Sequence, residues 1–498
     1  KSLVCFGIWR FLLLFWFRNT NIQRERLFFK PPGSYTTFDY NSTGANVMMQ
    51  GFYWNVPGPW FPTMQAQAAG LANMAGGYGI DRIWFPPSYK SASGGYSMGY
   101  DPFDYYDMGS YSQNGGPGSH FGTLAQLQSC IAAFKAVGIG CMEDIVLNHR
   151  SGGCSEYNPN TGGNTWTCFT NQQTGKCVWH YNQFHPSTYE AYDEGTFGGY
   201  PDICYNTGNS AGQPYYDMIQ WGKWLQSTIG FNGGWRFDYC KGYHAWMTHD
   251  FIVNTGSPFA VAEYWDSVAN INTWVNNASG VSSAFDFPLA FLMATTCNDT
   301  TGNSGNMSSW IASGSSWAAT WATKAVTFVN NHDTQPTTSD SMLAYAFIIT
   351  YQGYPCIYWQ DYFNYGLSSG GGAGTAQWGN GIKQLVWCRG KLGGASPNIE
   401  ILNNNNKVLV YGSKGVSTGA PGYIVIINEN GSAYPNWCGV SVTTGNSYLK
   451  GKTLKAYAFS STISGQNYAP NNVTCSSTGA VTVYAAPRGY AVYSVNGF

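Results

Sequence analysis

The chain has 498 residues, only 10% of them charged, and a formal net charge of -1. That length allows a large core and more than one domain, and the charge balance gives no footing for a nucleic-acid partner or an acidic membrane surface. Aromatic residues reach 17%, an excess that suits either an aromatic core or a surface for flat, amphipathic ligands such as sugar rings.

Residues 11–17 are an apolar run with Lys1 and Arg10 before it. The run looks like a signal-peptide core without a small-x-small cleavage site, and it is too short to span a bilayer. Residues 1–40 therefore read as a leader or tail outside the fold, and a secreted location is the matching expectation. From Asn46 to about Leu392, strand-like runs alternate with helix-like runs. The strand candidates are 47–53, 82–86, 140–147, 235–239, 259–264, 284–287, 326–330 and 356–359. Helical spacing joins Leu124, Leu127, Ile131 and Phe134, then Met218, Trp221, Trp224 and Leu225, then Met342, Tyr345, Ala346 and Ile349. Eight such repeats predict an α/β fold, a closed (β/α)8 TIM barrel over 41–150 and 205–395. An open doubly wound sheet is disfavoured, because no Gly-rich dinucleotide fingerprint follows the first strand.

Residues 151–204 break the rhythm. They are rich in Gly, Asn, Thr, Cys and aromatics, without helical period. A structureless loop of that length is improbable, so the segment reads as a small inserted domain after strand 3, held by metal, disulfides or both. Cys154, Cys168, Cys177 and Cys204 crowd into it, and Cys438 and Cys475 share the last hundred residues. Pairing within those groups is expected, with connectivity left open. Sequons stand at Asn41, Asn277, Asn298, Asn306, Asn430 and Asn472; they matter only in a eukaryotic secretory protein. Gly370–Gly374 reads as a rim loop, since no Lys-Ser/Thr pair follows to make a phosphate cradle. Runs at 407–411, 423–427, 453–459 and 480–484, separated by Gly/Asn/Ser turns, predict a C-terminal all-β domain, a β-sandwich over 396–498.

Three apolar runs each end in a carboxylate: Gly234-Trp235-Arg236-Phe237-Asp238, Ala260-Val261-Ala262-Glu263, and Phe328-Val329-Asn330-Asn331-His332-Asp333. In a parallel barrel such positions fall on the carboxyl-end rim, where barrels carry their chemistry. Three acids on one rim can supply a nucleophile, a proton donor and an electrostatic stabiliser for glycosidic cleavage. Arg236, two residues before Asp238, shares its strand face and can hold Asp238 ionised.

With Asp144-Ile145-Val146-Leu147-Asn148-His149-Arg150, Gly94–Pro102 and Gly198–Asp202 beside them, these motifs give the chain its resemblance. From about Gln50 to about Leu392 it resembles the α-amylase family of glycoside hydrolases, in its plant and archaeal branch. The resemblance implies Asp238 as nucleophile, Glu263 as acid and base, and Asp333 as transition-state stabiliser. It further implies that His149 and His332 donate to sugar hydroxyls, that Tyr100 stacks on the ring at the cleavage point, and that Lys241 meets the sugar on the leaving side. Arg236 completes the substrate-binding set.

The implied activity is endo-acting, retaining hydrolysis of α-1,4-glucosidic bonds in starch, glycogen and maltodextrins, by a monomer without nucleic-acid or membrane partners. Transglycosylating and debranching members differ mainly in rim loops. Inactive carbohydrate-binding relatives lose an acid that is present here. The resemblance also implies calcium between barrel and insert, held by the Asn148 side chain, Asp193, Asp202 and the carbonyls of Gly195 and Gly242; hard oxygen donors suit that ion. A zinc beside it would use His185 and Cys204, with Glu190 standing where a second His would be.

Overall fold

Eight short strands run parallel and close on themselves: Met48–Gln50, Arg82–Trp84, Gly140–Ile145, Gly234–Phe237, Ala260–Ala262, Ser283–Phe285, Ala325–Phe328 and Tyr354–Tyr358. The last pairs with the first, Met48 opposite Cys356, which makes the (β/α)8 barrel. Every strand but two is buried at all its residues, the two exceptions being half-buried only at their first residue. Helices outside and side chains inside cover both faces, as parallel sheets require. The structure, a computed structural model, describes residues 45–334, 337, 339–369, 380–394, 398–431 and 436–498. The leader reading of residues 1–40 and the Gly-rich rim loop at 370–374 lie outside them. Among the described residues no helix is long and apolar enough to cross a membrane.

The outer helices form where the spacing placed them. Leu124–Ala136 buries Leu127, Cys130, Ile131 and Phe134. It starts at a capping box, with Gln126 N–H donating to Thr123 Oγ1 (3.3 Å) and Thr123 N–H to Gln126 Oε1 (2.9 Å). Ser341–Thr350 is different in kind, because every residue from Met342 to Thr350 is buried. The barrel lies on one side of it and the C-terminal domain on the other. From the latter, Tyr411 hydroxyl meets Thr350 Oγ1 at 2.6 Å and Tyr423 hydroxyl donates to Thr350 carbonyl at 2.8 Å.

The insert is not structureless. Cys154–Asn158 and Gly163–Cys168 form an antiparallel hairpin, and short 3-10 turns cover Tyr181–Gln183 and Tyr205–Thr207. None of the described cysteines is in a disulfide, which corrects the expected pairing. Cys177 is buried beside Arg150, whereas Cys204 lies near Ser187. Cys475 sits in the C-terminal core, and Cys438 pairs across its own sheet with Ala485.

The C-terminal domain has a six-stranded antiparallel sheet in the order Ile399–Asn403, Val408–Ser413, Tyr423–Asn428, Gly489–Val495, Thr453–Ser461, Val473–Thr474. A second sheet pairs Cys438–Thr443 with Ala480–Ala485. Val410, Ile424, Ile426, Val442, Val483 and Tyr493 fill the space between them. Arg488 reaches from this domain to the carbonyls of Cys297 and Asp299, each at 2.7 Å, and pairs with Asp340.

The barrel is laced at its closure by Arg389, fully buried, which donates to the carbonyls of Ala45 (2.7 Å), Ile349 (2.8 Å), Tyr351 (2.9 Å) and Gly353 (2.8 Å). Arg389→Met would strand four acceptors. We expect it to lower the unfolding free energy by about 3 kcal/mol or more, read from the urea midpoint at constant slope; an unshifted midpoint would refute this role.

Candidate active site

The fourth strand begins at Gly234 because no side chain fits there. Its φ is +112°, and a Cβ would stand 2.0 Å from Phe259 carbonyl oxygen. From that start the register sets the site. Asp144 pairs with Arg236, and Phe237 with Ala262. The next residues, Asp238 and Glu263, are therefore neighbours on adjacent strand ends. The ladder continues through them: Asp238 N–H donates to Ile145 carbonyl (3.0 Å) and Glu263 N–H to Phe237 carbonyl (2.9 Å).

Arg236 is the hub. Its Nη1 donates to Asp144 Oδ1 at 2.9 Å, Asp144 Oδ2 at 3.1 Å and Asp238 Oδ1 at 2.7 Å, and its Nη2 lies 2.8 Å from Glu263 Oε2. The guanidinium carbon sits 4.7 Å from the Trp84 ring centre. Asp144 is held further by Trp84 Nε1 at 2.9 Å and Tyr100 hydroxyl at 2.8 Å. Desolvation pushes Asp238 up to about 6, against the pull of Arg236 and with a further push from Asp144. Glu263 rises to about 7, again from desolvation, opposed by Arg236 and raised by the Asp238 charge. One guanidinium spans both carboxyls, and Glu263 holds its proton the more tightly, the Asp238 charge adding to its desolvation. Tyr239, in the left-handed region at φ 42°, turns its N–H onto Glu263 Oε2 at 3.0 Å.

These acids open into a cavity of about 470 Å³ lined by Trp54, Tyr100, Phe197, Asp238, Tyr239, Lys241, Glu263, Trp265, His332 and Asp333. Asp333 is the most exposed acid, its side chain 37% accessible, and desolvation with the Glu263 charge lifts it to about 6. His332 lies 3.1 Å from Asp333 Oδ2 through Nε2, and Gln50 Nε2 holds its Nδ1 at 2.8 Å. Gln50 can only donate there, so Nε2 carries the ring proton. Tyr100 stacks on His332, with centroids 5.2 Å apart and planes 10° apart, and Trp54 stacks beside both.

Lys241 lines the cavity while bonded to Asp266 Oδ2 (2.8 Å) and Trp265 carbonyl (3.1 Å). His149 stands apart from the residues that line the cavity. It is fully buried, and its nitrogens meet Tyr100 carbonyl oxygen (2.9 Å) and Asn148 Nδ2 (3.2 Å). It is stacked on Phe197 and Tyr200 and does not line the cavity, so here it positions Tyr100. Sequence reasoning missed Asp144, Trp54 and Phe197. Asp144 had a signal, since it opens a quoted motif, but it lies inside a strand rather than past its end.

The calcium positions also converge. Asn148 Oδ1, Asp193 Oδ1 and Asp202 Oδ1 are buried without a hydrogen-bond partner among the described residues. Desolvation and the Asp193 charge push Asp202 up to about 9. Gly242 backs onto Asn148: a Cβ there would stand 1.8 Å from Asn148 Oδ1. A Cβ on Gly195 would have Lys241 carbonyl as its only neighbour, at 4.0 Å. Buried, unpaired acceptor oxygens with two carboxylates fit a hard cation. The zinc expectation fares otherwise. His185, Glu190 and Cys204 do gather, but Glu190 is already bonded by His244 Nε2 (3.0 Å) and Asn206 Nδ2 (2.7 Å). His185 Nε2 faces Asp193 Oδ2 at 3.3 Å, and burial lifts the Cys204 thiol to about 12. The donor types would suit zinc, but both Glu190 oxygens are taken by other residues, so the arrangement lends the zinc expectation no support.

The α-amylase catalytic-domain family matches residues 76–365. The chain belongs to that family. This α-amylase-family chain is 28% identical over 413 residues to the α-amylase of Geobacillus stearothermophilus, covering 71% of this chain and 72% of that one. It is 26% identical over 368 residues to the chloroplastic α-amylase 3 of Arabidopsis thaliana, covering 65% of this chain but only 36% of the relative's length. Its fold matches the acarbose-complexed α-amylase of Geobacillus thermoleovorans with TM-score 0.62 at 17% identity, over 91% of this chain and 97% of that one.

The electrostatics predict a bell-shaped kcat/KM for this family member. It should rise as Asp238 ionises through about pH 6 and fall as Glu263 loses its proton above about pH 7. Asp144→Asn removes a charge that raises Asp238 and offsets Arg236, so both limbs should move to lower pH. Limbs that stay in place would refute control through Arg236.

Proposed function

We propose that the chain is an endo-acting, retaining hydrolase of α-1,4-glucosidic bonds in starch, glycogen and maltodextrins. The observation that carries this reading is that one guanidinium, that of Arg236, holds both carboxyls, Asp238 Oδ1 at 2.7 Å and Glu263 Oε2 at 2.8 Å. Inverting enzymes keep their carboxyls roughly 6.5–9.5 Å apart to admit a water, whereas retaining ones stand close enough for direct attack. Asp238, charged and held by Arg236, attacks the anomeric carbon. Glu263, whose proton burial retains to about pH 7, gives it to the leaving oxygen and then takes one from water. Asp333, backed by His332, holds the ring hydroxyls and favours the oxocarbenium-like transition state. The Tyr100 ring, fixed by its hydrogen bond to Asp144, supplies the stacking platform. Trp54, Tyr100, Phe197, Tyr239 and Trp265 line the cavity beside the acids, which suits stacking on sugar rings.

Calcium is the cofactor that fits this reading, held by Asn148, Asp193, Asp202, Gly195 and Gly242. Bound there, it would neutralise the two buried carboxylates and fasten the insert to the segments that follow the third and fourth strands. A secreted, monomeric enzyme acting on extracellular α-glucan accords with the sequence.

Asp238→Asn and Glu263→Gln should each lower kcat about a thousandfold or more without unfolding the protein; more than about a tenth of the activity remaining would remove that residue from its role. Asp333→Asn should cut kcat strongly yet leave oligosaccharide binding, and an effect confined to KM would reassign it. NMR of a blocked maltooligosaccharide digest should give the α-anomer first; β-anomer first would mean inversion. Chelation should lower activity and melting temperature, with recovery on adding calcium back. An unchanged melting temperature would exclude the cation.

A further inference from the structure

The insert carries a second group of metal-type donors that the catalytic site does not use. Its hairpin sets Cys154 directly across from Cys168. The Cys154 thiol lies 3.0 Å from the Cys168 carbonyl oxygen, and the two thiols share a neighbour: Thr170 Oγ1 lies 3.3 Å from Cys168 Sγ and 3.9 Å from Cys154 Sγ. From the turn that follows, His180 Nδ1 stands 2.9 Å from Glu156 Oε2. Donor atoms of Glu156, Cys168 and His180 all lie within 4.8 Å of one another. The group shares no residue with the calcium cradle.

We propose that Glu156, Cys168 and His180, with Cys154 as fourth donor, form a zinc site that fastens the hairpin to the turn at Tyr181–Gln183. A thiolate, imidazole and carboxylate set is too soft for calcium and suits zinc, which takes four such ligands tetrahedrally. At zinc bond lengths, tetrahedral ligands stand about 3.3–3.8 Å apart, so small side-chain rotations close the group of three, and Cys154 joins it by turning its thiol from the Cys168 carbonyl. The supporting shell is in place. Thr167, nearly buried, donates to Glu156 Oε1 at 2.8 Å and is itself 2.7 Å from Thr165 Oγ1. This group differs from His185, Glu190 and Cys204 in one respect that decides the fit. There both carboxylate oxygens are bonded by residues outside the group, whereas at Glu156 only Oε1 is; Oε2 is bonded by His180, itself a donor, and the cation takes the place of that hydrogen bond. On binding, each thiol releases its proton to solvent and forms a sulfur–zinc bond, with no change of oxidation state.

The test uses the full chain, purified in reductant, stripped of transition metals and kept in excess calcium. Zinc is titrated against a chromophoric indicator, and cobalt is added separately to look for thiolate-to-metal charge transfer. The expected result is one tight zinc per chain and a thiolate band with cobalt. Cys168→Ser and the surface variant His180→Asn should each weaken zinc binding by more than about a hundredfold. Cys204→Ser should leave it intact, and starch hydrolysis should survive in Cys168→Ser and His180→Asn, which separates this site from the catalytic reading. Absence of tight zinc, loss of it in Cys204→Ser with retention in Cys168→Ser, or a Cys154–Cys168 disulfide that persists in zinc-treated protein would each overturn the proposal.

Discussion

A buried guanidinium facing three carboxylates is the constraint on which the site depends. Arg236 has almost no access to water, and an unpaired charge there would cost several kcal/mol. Asp144, Asp238 and Glu263 meet it from three adjacent strands. The same contacts that satisfy the cation fix the strand register and hold the acids close. Close, desolvated acids repel, which is why their affinities for protons are pulled towards neutrality. Structure and reactivity here are one electrostatic arrangement.

Tyr239 adds a local consequence. A tyrosine at positive φ costs roughly 1–3 kcal/mol, and the return is an N–H aimed at Glu263. Without that turn the chain would leave the fourth strand in extended form, and its amide would point away from the acid. The strain sits one residue past Asp238, where the barrel gives way to the rim.

Much of this architecture was legible in the sequence, for physical reasons that also explain the gaps. Barrel strands are buried on both faces, so they appear as continuous apolar runs, and all eight runs found their strands. The acids that close those runs were visible because a charge after a buried strand is conspicuous. Asp144 was not, because it lies within its strand and is tolerable there only through Arg236, a partner 92 residues away. Trp54 and Phe197 come from loops, where no period marks a ring as lining a cavity. His149 was legible as a polar residue at a strand end, but nothing in the sequence says that its two nitrogens are taken up by Tyr100 and Asn148. The strands Cys438–Thr443 and Ile399–Asn403 escaped because they mix polar and apolar residues and leave much of their length half-exposed. The hairpin in the insert escaped for the same reason.

The helix Ser341–Thr350 has no face left for solvent, and this bears on how the chain can change over generations. A truncation that ends with the barrel would bare the side of that helix now covered by Tyr411 and Tyr423, and would take Arg488 away from Asp340. The exposed apolar strip would invite aggregation before any catalytic residue was touched. Barrel and β domain therefore depend on each other for folding. A recombination event that exchanges the C-terminal domain must import a matching surface for this one helix, whereas loops on the rim are free to drift.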